Sequence, residues 1–380
     1  MEFDKVINRK GTNSYKWDSN PEPDLLPMWV ADMDFKTAPA IIEALRKRVE
    51  HGVFGYTKVP GEYYRAIASW FGARHGWEIN PDHVIYTTGV VPALSACVKG
   101  LAEAGDGVIV QSPVYNLFFS SVRNNKCRIV DNCLTCGADG RYAMDFDNLE
   151  RLAAEAKLLI LCNPHNPVGR IWSRDELSRV AEICARHGVT VISDEIHCEL
   201  TYENDYVPFA PVAEEAGCKY AVCNSPSKAF NTAGLQIANI ICPDEEMRAR
   251  IDRAINDNEV CDVNPFGVVG LIAAYTEGGD WLDSLRRYLW GNYLLVKDFF
   301  ATNLPQYQIT PLEATYLLWI NVRNSGMTGD GVYERLMKEE HLRVGRGSDY
   351  GEGGADFIRL NIACPRTLLL DGLNRLAKVL

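Results

Sequence analysis

Short apolar runs, each closed by small or polar residues, recur through the middle of the chain. They are Val84-Ile85-Tyr86-Thr87, Gly107-Val108-Ile109-Val110, Leu158-Leu159-Ile160-Leu161, Val189-Thr190-Val191-Ile192, Tyr220-Ala221-Val222 and Gln236-Ile237-Ala238-Asn239-Ile240-Ile241. They are short, rich in branched residues and bounded by turn formers, which predicts buried strands. Helical spacing fills several of the intervals. An Ala/Leu-rich stretch follows Thr88-Gly89-Val90-Val91 to about Leu101, and Ser173 to His187 carries Asp175 and Glu176 near its start. Upstream, Ile41, Ile42, Leu45 and Val49 predict a helix over Pro39–Glu50, broken at Gly52-Val53-Phe54-Gly55-Tyr56. Tyr64, Ile67, Ala68 and Phe71 predict a second over Tyr63–His75, stopped by Gly76.

Strands separated by helices predict an α/β fold, with a mostly parallel central sheet flanked by helices on both faces. The texture changes near Tyr275. A long helix is predicted from Trp281 to about Asn303 and another over Tyr333–Glu340. Tyr316–Ile320 and Phe357–Asn361 read as strands, and a leucine-rich helix ends the chain. This predicts a smaller α+β domain over 276–380, beside a large domain over 41–275. Residues 1–40, rich in Asp, Asn and Pro around Leu25–Ala31, form an N-terminal arm that contributes to the small domain.

A formal net charge of -11 over 380 residues argues against nucleic acid or an anionic membrane surface as partner. No apolar run approaches the roughly 20 residues that span a bilayer, and Met1-Glu2-Phe3-Asp4-Lys5 lacks the order of a signal peptide. A cytoplasmic protein is expected. Of twelve cysteines, Cys97, Cys162, Cys184, Cys198, Cys223 and Cys242 lie inside apolar runs, where cysteine acts as a small buried hydrophobe. Cys133 and Cys136 form one C-x-x-C without a second pair at zinc spacing, so reduced thiols and no metal are expected.

Candidate chemistry sits at the ends of the predicted strands, where open α/β sheets bind their ligands. Lys228 follows Tyr220–Val222 through Asn224-Ser225-Pro226-Ser227. Asp194 follows Val189–Ile192, and Asn166 lies in the Asn163–Gly169 loop after Leu158–Leu161. A desolvated lysine amine is a good Schiff-base former. A buried aspartate needs a cation or a protonated ring nitrogen. The pyridinium of pyridoxal phosphate supplies such a partner. Thr88-Gly89-Val90-Val91, opening a helix, offers backbone N–H groups to a phosphate. Ser225 and Ser227 add hydroxyls, and Tyr115 offers an aromatic face.

The sequence resembles the fold-type I pyridoxal phosphate enzymes, the aspartate aminotransferase superfamily, along essentially its whole length. The matching pieces are Phe54–Thr57 with Arg74–Trp77, Asn163–Gly169, Ser193–Glu195, Ser225–Lys228 and Phe357–Leu360. Ala31–Phe35, His51–Tyr56, Ile192–His197 and Cys364–Arg366 are similar to the MalY/PatB group of cystathionine β-lyases. The resemblance implies pyridoxal 5'-phosphate as cofactor and Lys228 as the lysine that bonds it and then moves the substrate Cα proton. It implies Asp194 on the pyridinium nitrogen, Asn166 on the phenolic oxygen and Tyr115 stacked on the ring. Gly89, Val90, Val91, Ser225 and Ser227 are implied as phosphate ligands. Tyr56 would reach in from the second subunit of a homodimer. Arg359 would clamp the substrate carboxylate, helped by Asn166 and the backbone near Ala31.

Two positions depart from many aminotransferases of the superfamily. His197 stands where tyrosine is common beside the cofactor's ring oxygen, and Gln236 replaces a phosphate-binding arginine. Both resemble the β-lyase group. The expected activity is a carbon–sulfur β-lyase acting on L-cystathionine or related cysteine S-conjugates. The alternatives are an aminotransferase, and a cofactor-holding regulator that acts through a protein partner.

Overall fold

The computed structural model describes residues 2–257, 259 and 262–380, leaving Met1, Asn258, Val260 and Cys261 outside the described residues. The strands of its larger sheet are β1 (Val84–Thr87), β2 (Gly107–Val110), β3 (Arg128–Asp131), β4 (Leu158–Cys162), β5 (Thr190–Asp194), β6 (Tyr220–Asn224) and β7 (Ala238–Ile241). The spatial order is β1-β7-β6-β5-β4-β2-β3. β7 runs antiparallel to both its neighbours, and the remaining pairs are parallel. β2, β4, β5, β6 and β7 are buried at every position, as a sheet covered on both faces requires.

The helix starts and stops follow local chemistry. Pro39 opens Pro39–His51 and Gly52, at φ 75°, closes it. Ser173 and Glu176 form a reciprocal capping box ahead of Arg174–His187. Gly76 ends Gly61–His75 at φ 62°. Six further helices, Tyr15–Asp18, Asn116–Asn124, Phe146–Ala153, Phe209–Glu215, Glu245–Asn256 and Pro265–Glu277, lie outside the sequence reading. For Pro265–Glu277 the reason is its burial: Val268, Leu271, Ala273, Ala274 and Tyr275 are covered around most of its girth, which erases the amphipathic period.

A second, four-stranded antiparallel sheet pairs Gln308–Ile309, Leu317–Asn321, Phe357–Asn361 and Gly345–Arg346 in that order. The N-terminal residues run between the two sheets. Leu26–Pro27 pairs in parallel with Leu342–Arg343. Asp34, nearly fully buried, accepts from Lys16 Nζ at 2.8 Å, Arg9 Nη1 at 2.7 Å and Trp17 Nε1 at 2.8 Å. These bonds hold the carboxyl well ionised against the cost of burial. Asn361 Nδ2 donates to the carbonyls of Val30, at 2.6 Å, and Asp32, at 2.7 Å. Among the described residues no helix is long and apolar enough to cross a membrane.

Candidate active site

β4, β5 and β6 are adjacent and parallel, so their carboxyl ends lie side by side. The loops leaving them are the ones that carry Asn166, Asp194 and Lys228. β1 points the same way, because β7 is antiparallel to it and to β6, and it delivers Gly89 to the start of the helix Val90–Leu101. A cavity of about 190 Å³ opens at this edge. Gly89, Val90, Val91, Tyr115, Asn166, Asp194, His197, Ser227, Lys228, Gln236 and Ala31 line it.

Two oppositely shifted groups face this cavity. Burial pushes the Asp194 carboxyl up to about 7, against the Ile196 N–H that donates to its Oδ1 at 3.1 Å and the nearby Lys228. Burial, with the charge of Arg359, pulls the Lys228 amine down to about 8, against the pull of Asp32 and Asp194. Burial and the cations Lys228 and Arg359 hold the His197 imidazole well below its ordinary range, so it is neutral. Its Nδ1 is buried without a partner. A raised carboxyl, a lowered amine and a neutral imidazole thus face one cavity, a clustering of perturbed groups that makes it the candidate site.

Arg359 lies 5% exposed on the strand Phe357–Asn361. Its Nη1 donates to Asn166 Oδ1 at 3.1 Å and its Nη2 to the Trp29 carbonyl at 2.7 Å, while its Nε finds no partner. Its guanidinium lies over the Tyr350 ring. These contacts are all neutral, which leaves the buried guanidinium's charge without an anionic partner among the described residues. The Asn166 carbonyl accepts from the Tyr115 N–H at 3.1 Å, which sets Tyr115 at the cavity wall. Burial pushes the Tyr115 phenol up to about 12, so it stays a neutral ring.

Three of the residues marked in the sequence stand off the cavity's lining: Arg359, which touches the lining residue Asn166, and Ser225 and Tyr56. Ser225 donates its hydroxyl to the Ile237 carbonyl at 2.7 Å and accepts the Ser227 N–H at 3.1 Å, so it braces the turn and orients Ser227. Tyr56 is 98% exposed, in the same stretch as the exposed Val53 and Phe54.

The structure adds residues that the sequence reading passed over. Asn231, at φ 54°, binds the Met33 N–H and donates to the Met33 and Phe35 carbonyls, stapling the Lys228 turn to the N-terminal residues. The Ala31 carbonyl accepts from Lys228 Nζ at 2.6 Å and from the Tyr316 hydroxyl at 3.1 Å. The asparagine placed just after Lys228 was a signal in reach; the Tyr316 contact, across 285 residues of chain, was not.

Two other places draw the eye and carry less chemistry. A cavity of about 530 Å³ between Arg74, Tyr202, Arg286 and Trp290 holds none of the marked residues. His75, Cys198 and Glu199 bring possible metal-ligand atoms within 4.8 Å of one another. There Glu199 already accepts from Trp70 Nε1 at 2.6 Å, and it pairs with His75 at 2.7 Å and Arg74 at 3.4 Å. It is a satisfied structural carboxylate.

The aminotransferase class I and II family profile matches residues 23–376. Cystathionine beta-lyase PatB of Bacillus subtilis strain 168 is 42% identical over 100% of both chains. Protein MalY of Escherichia coli strain K12 is 35% identical over 98% of this chain and 97% of its own. The crystal structure of the PLP-bound C-S lyase from Staphylococcus hominis superposes with a TM-score of 0.92 at 31% identity, covering 99% of this chain and 98% of that one. With the strand-end lysine, aspartate and asparagine gathered at one sheet edge, these matches place the chain in the aminotransferase class I and II family, among the relatives of PatB and MalY.

Proposed function

We propose that this protein is a pyridoxal 5'-phosphate-dependent carbon–sulfur β-lyase that converts L-cystathionine and water to L-homocysteine, pyruvate and ammonia. The observation that carries the reading is that Asp194 and Lys228, one pushed up and one pulled down, face one cavity, with Arg359 beside it on the lining residue Asn166. The buried carboxyl fits a ring N–H, the amine fits a carbonyl carbon, and the helix start at Gly89 fits a phosphate. These residues fit the cofactor.

Lys228 would hold the cofactor covalently, Asp194 would face its ring nitrogen, Asn166 its phenolic oxygen and Tyr115 its ring. Gly89, Val90, Val91 and Ser227 would bind the phosphate, with Ser225 acting through Ser227. When bound, pyridoxal phosphate supplies an electron sink that lets a substrate Cα proton and then a Cβ thiolate depart. Arg359, with Asn166 and the Ala31 backbone beside it, binds the substrate carboxylate and turns the Cα–H toward Lys228. The Lys228 amine, near neutral pKa, takes that proton as general base and can return it as acid. His197 stays uncharged and leaves the cavity's charge to Lys228, Asp194 and Arg359.

The exposed Tyr56, Val53 and Phe54 support a homodimer in which Tyr56 completes the partner subunit's phosphate site. The two sheets support an arm over 1–40, a large domain over 41–275 and a small one over 276–380. The described cysteines are all free thiols, which supports a cytoplasmic setting. The test is turnover of L-cystathionine without any 2-oxo acid. Pyruvate and free thiol appearing together over many turnovers are expected. A single conversion of the cofactor, relieved only by a 2-oxo acid, would make the protein an aminotransferase instead.

A further inference from the structure

Thr315 is fully buried and holds a φ of 73°, a backbone region that β-branched residues avoid. Such strain persists where the surroundings over-determine it, and the inference runs from the outlier toward a function. Here four contacts do so. The Thr315 N–H donates to the Leu200 carbonyl at 2.7 Å, and its Oγ1 accepts the Leu317 N–H at 3.1 Å. Its carbonyl accepts the Tyr202 hydroxyl at 2.5 Å, and the preceding Ala314 bridges to Thr201. The segment is also tied to the Asn166 loop, since the Gly169 carbonyl accepts the N–H groups of Glu313 and Ala314.

The next residue is Tyr316, fully buried, whose ring lies edge-on to His197. Its hydroxyl donates to the Ala31 carbonyl, the acceptor that also holds Lys228 Nζ. Val30 and Asp32 on either side are held by Asn361, and Asp32 also by Arg9 and Lys16, whereas the Ala31 carbonyl itself accepts from Lys228 Nζ and the Tyr316 hydroxyl alone among the described residues.

We propose that Tyr316 is a positioning residue for Lys228: it fixes the Ala31 carbonyl as the station at which the free amine is held in line with the substrate. The strained Thr315 is what aims Tyr316 there. This rests on the reading of Lys228 as the cofactor-bonding base. Two donors on one carbonyl share its lone pairs, so the carbonyl grips the ammonium less tightly than it would alone. The charged and titratable groups facing the amine are Arg359, Asp32, Asp194 and His197, and Tyr316 acts alongside them.

The test is Tyr316→Phe in the cofactor-loaded enzyme, which keeps the buried ring and removes only the hydroxyl. One lost hydrogen bond predicts a fall in kcat of about three- to tenfold, with KM for L-cystathionine little changed. The acid-side midpoint of the kcat profile moves up by about half a pH unit, as the carbonyl holds the ammonium more tightly, and in the cofactor-free protein the pH midpoint for capture of added pyridoxal phosphate, followed by visible absorbance, moves up with it. Tyr202→Phe, which frees the Thr315 carbonyl, moves the same midpoint in the same direction by less. A merely structural role would leave that midpoint in place. Wild-type kcat and midpoint in Tyr316→Phe, or a rise in KM alone, would overturn the proposal. The visible absorbance of the lysine-bound cofactor, present in the wild type and absent in Lys228→Ala, checks the underlying reading separately.

Discussion

Asp194→Asn should make the cofactor-free protein more stable and the enzyme nearly inactive. The carboxyl is buried and its pKa stands near 7, against 3.8 for the free side chain. Below about pH 3 the group is protonated in both the folded and the unfolded chain, and the substitution changes little. As pH rises toward 8 the unfolded chain gives up its proton first, so the native state is progressively penalised. The full gap is worth roughly 4 kcal/mol at about 1.4 kcal/mol per pKa unit. Asparagine keeps the acceptor for the Ile196 N–H and carries no charge, so it removes this penalty. Urea unfolding of the cofactor-free variant and wild type at pH 5 and pH 8 measures it. The variant should gain a few kcal/mol at pH 8 and much less at pH 5. With cofactor bound, loss of the ring-nitrogen partner should lower kcat by about 100-fold or more, in the range seen when one preorganised electrostatic partner is removed. Equal stability of the two proteins at pH 8 would refute the claim that Asp194 is an uncompensated buried acid.

Arg359→Lys loses the forked geometry that two neutral acceptors now hold open. At about 1.5–3 kcal/mol per charged hydrogen bond, KM for L-cystathionine should rise about 10- to 100-fold; a KM within twofold of wild type would remove Arg359 from the carboxylate site. Mixing inactive Lys228→Ala with Tyr56→Ala should restore turnover after subunit exchange, because one hybrid site regains both residues. No recovery, with exchange verified by mass, would place Tyr56 outside the site.

Much of the site was legible because its residues follow strand ends, and strand ends of a parallel sheet share an edge. Asn166, Asp194 and Lys228 could be marked from three apolar runs, although their mutual distances could not. The antiparallel β7 was hidden, since Ala238–Ile241 has the same apolar texture in either direction. So was Ser225, whose hydroxyl is spent on the Ile237 carbonyl; a serine beside a lysine looks the same whether it faces a ligand or its own sheet. Backbone acceptors were the least legible. The carbonyls of Trp29 and Ala31 fix Arg359 and Lys228, and a carbonyl leaves no trace in residue identity. Thr315 was missed because sequence propensity argues against the conformation it holds.

Trp29 and Arg359 meet across 330 residues of chain, and Ala31 meets Lys228 across 197. On the ribosome, the large sheet from β1 to β7 can assemble while the residues that close its binding edge are still unmade. The segment around Trp29 leaves the exit tunnel early and waits, with Leu25, Leu26 and Met28 unburied, for Phe357–Asn361 to arrive. Such closure is slow by its topology. The waiting segment is an obvious client for a chaperone. A nascent chain stalled short of Arg359 should hold a formed sheet and a cofactor lysine, yet have no grip on a substrate carboxylate.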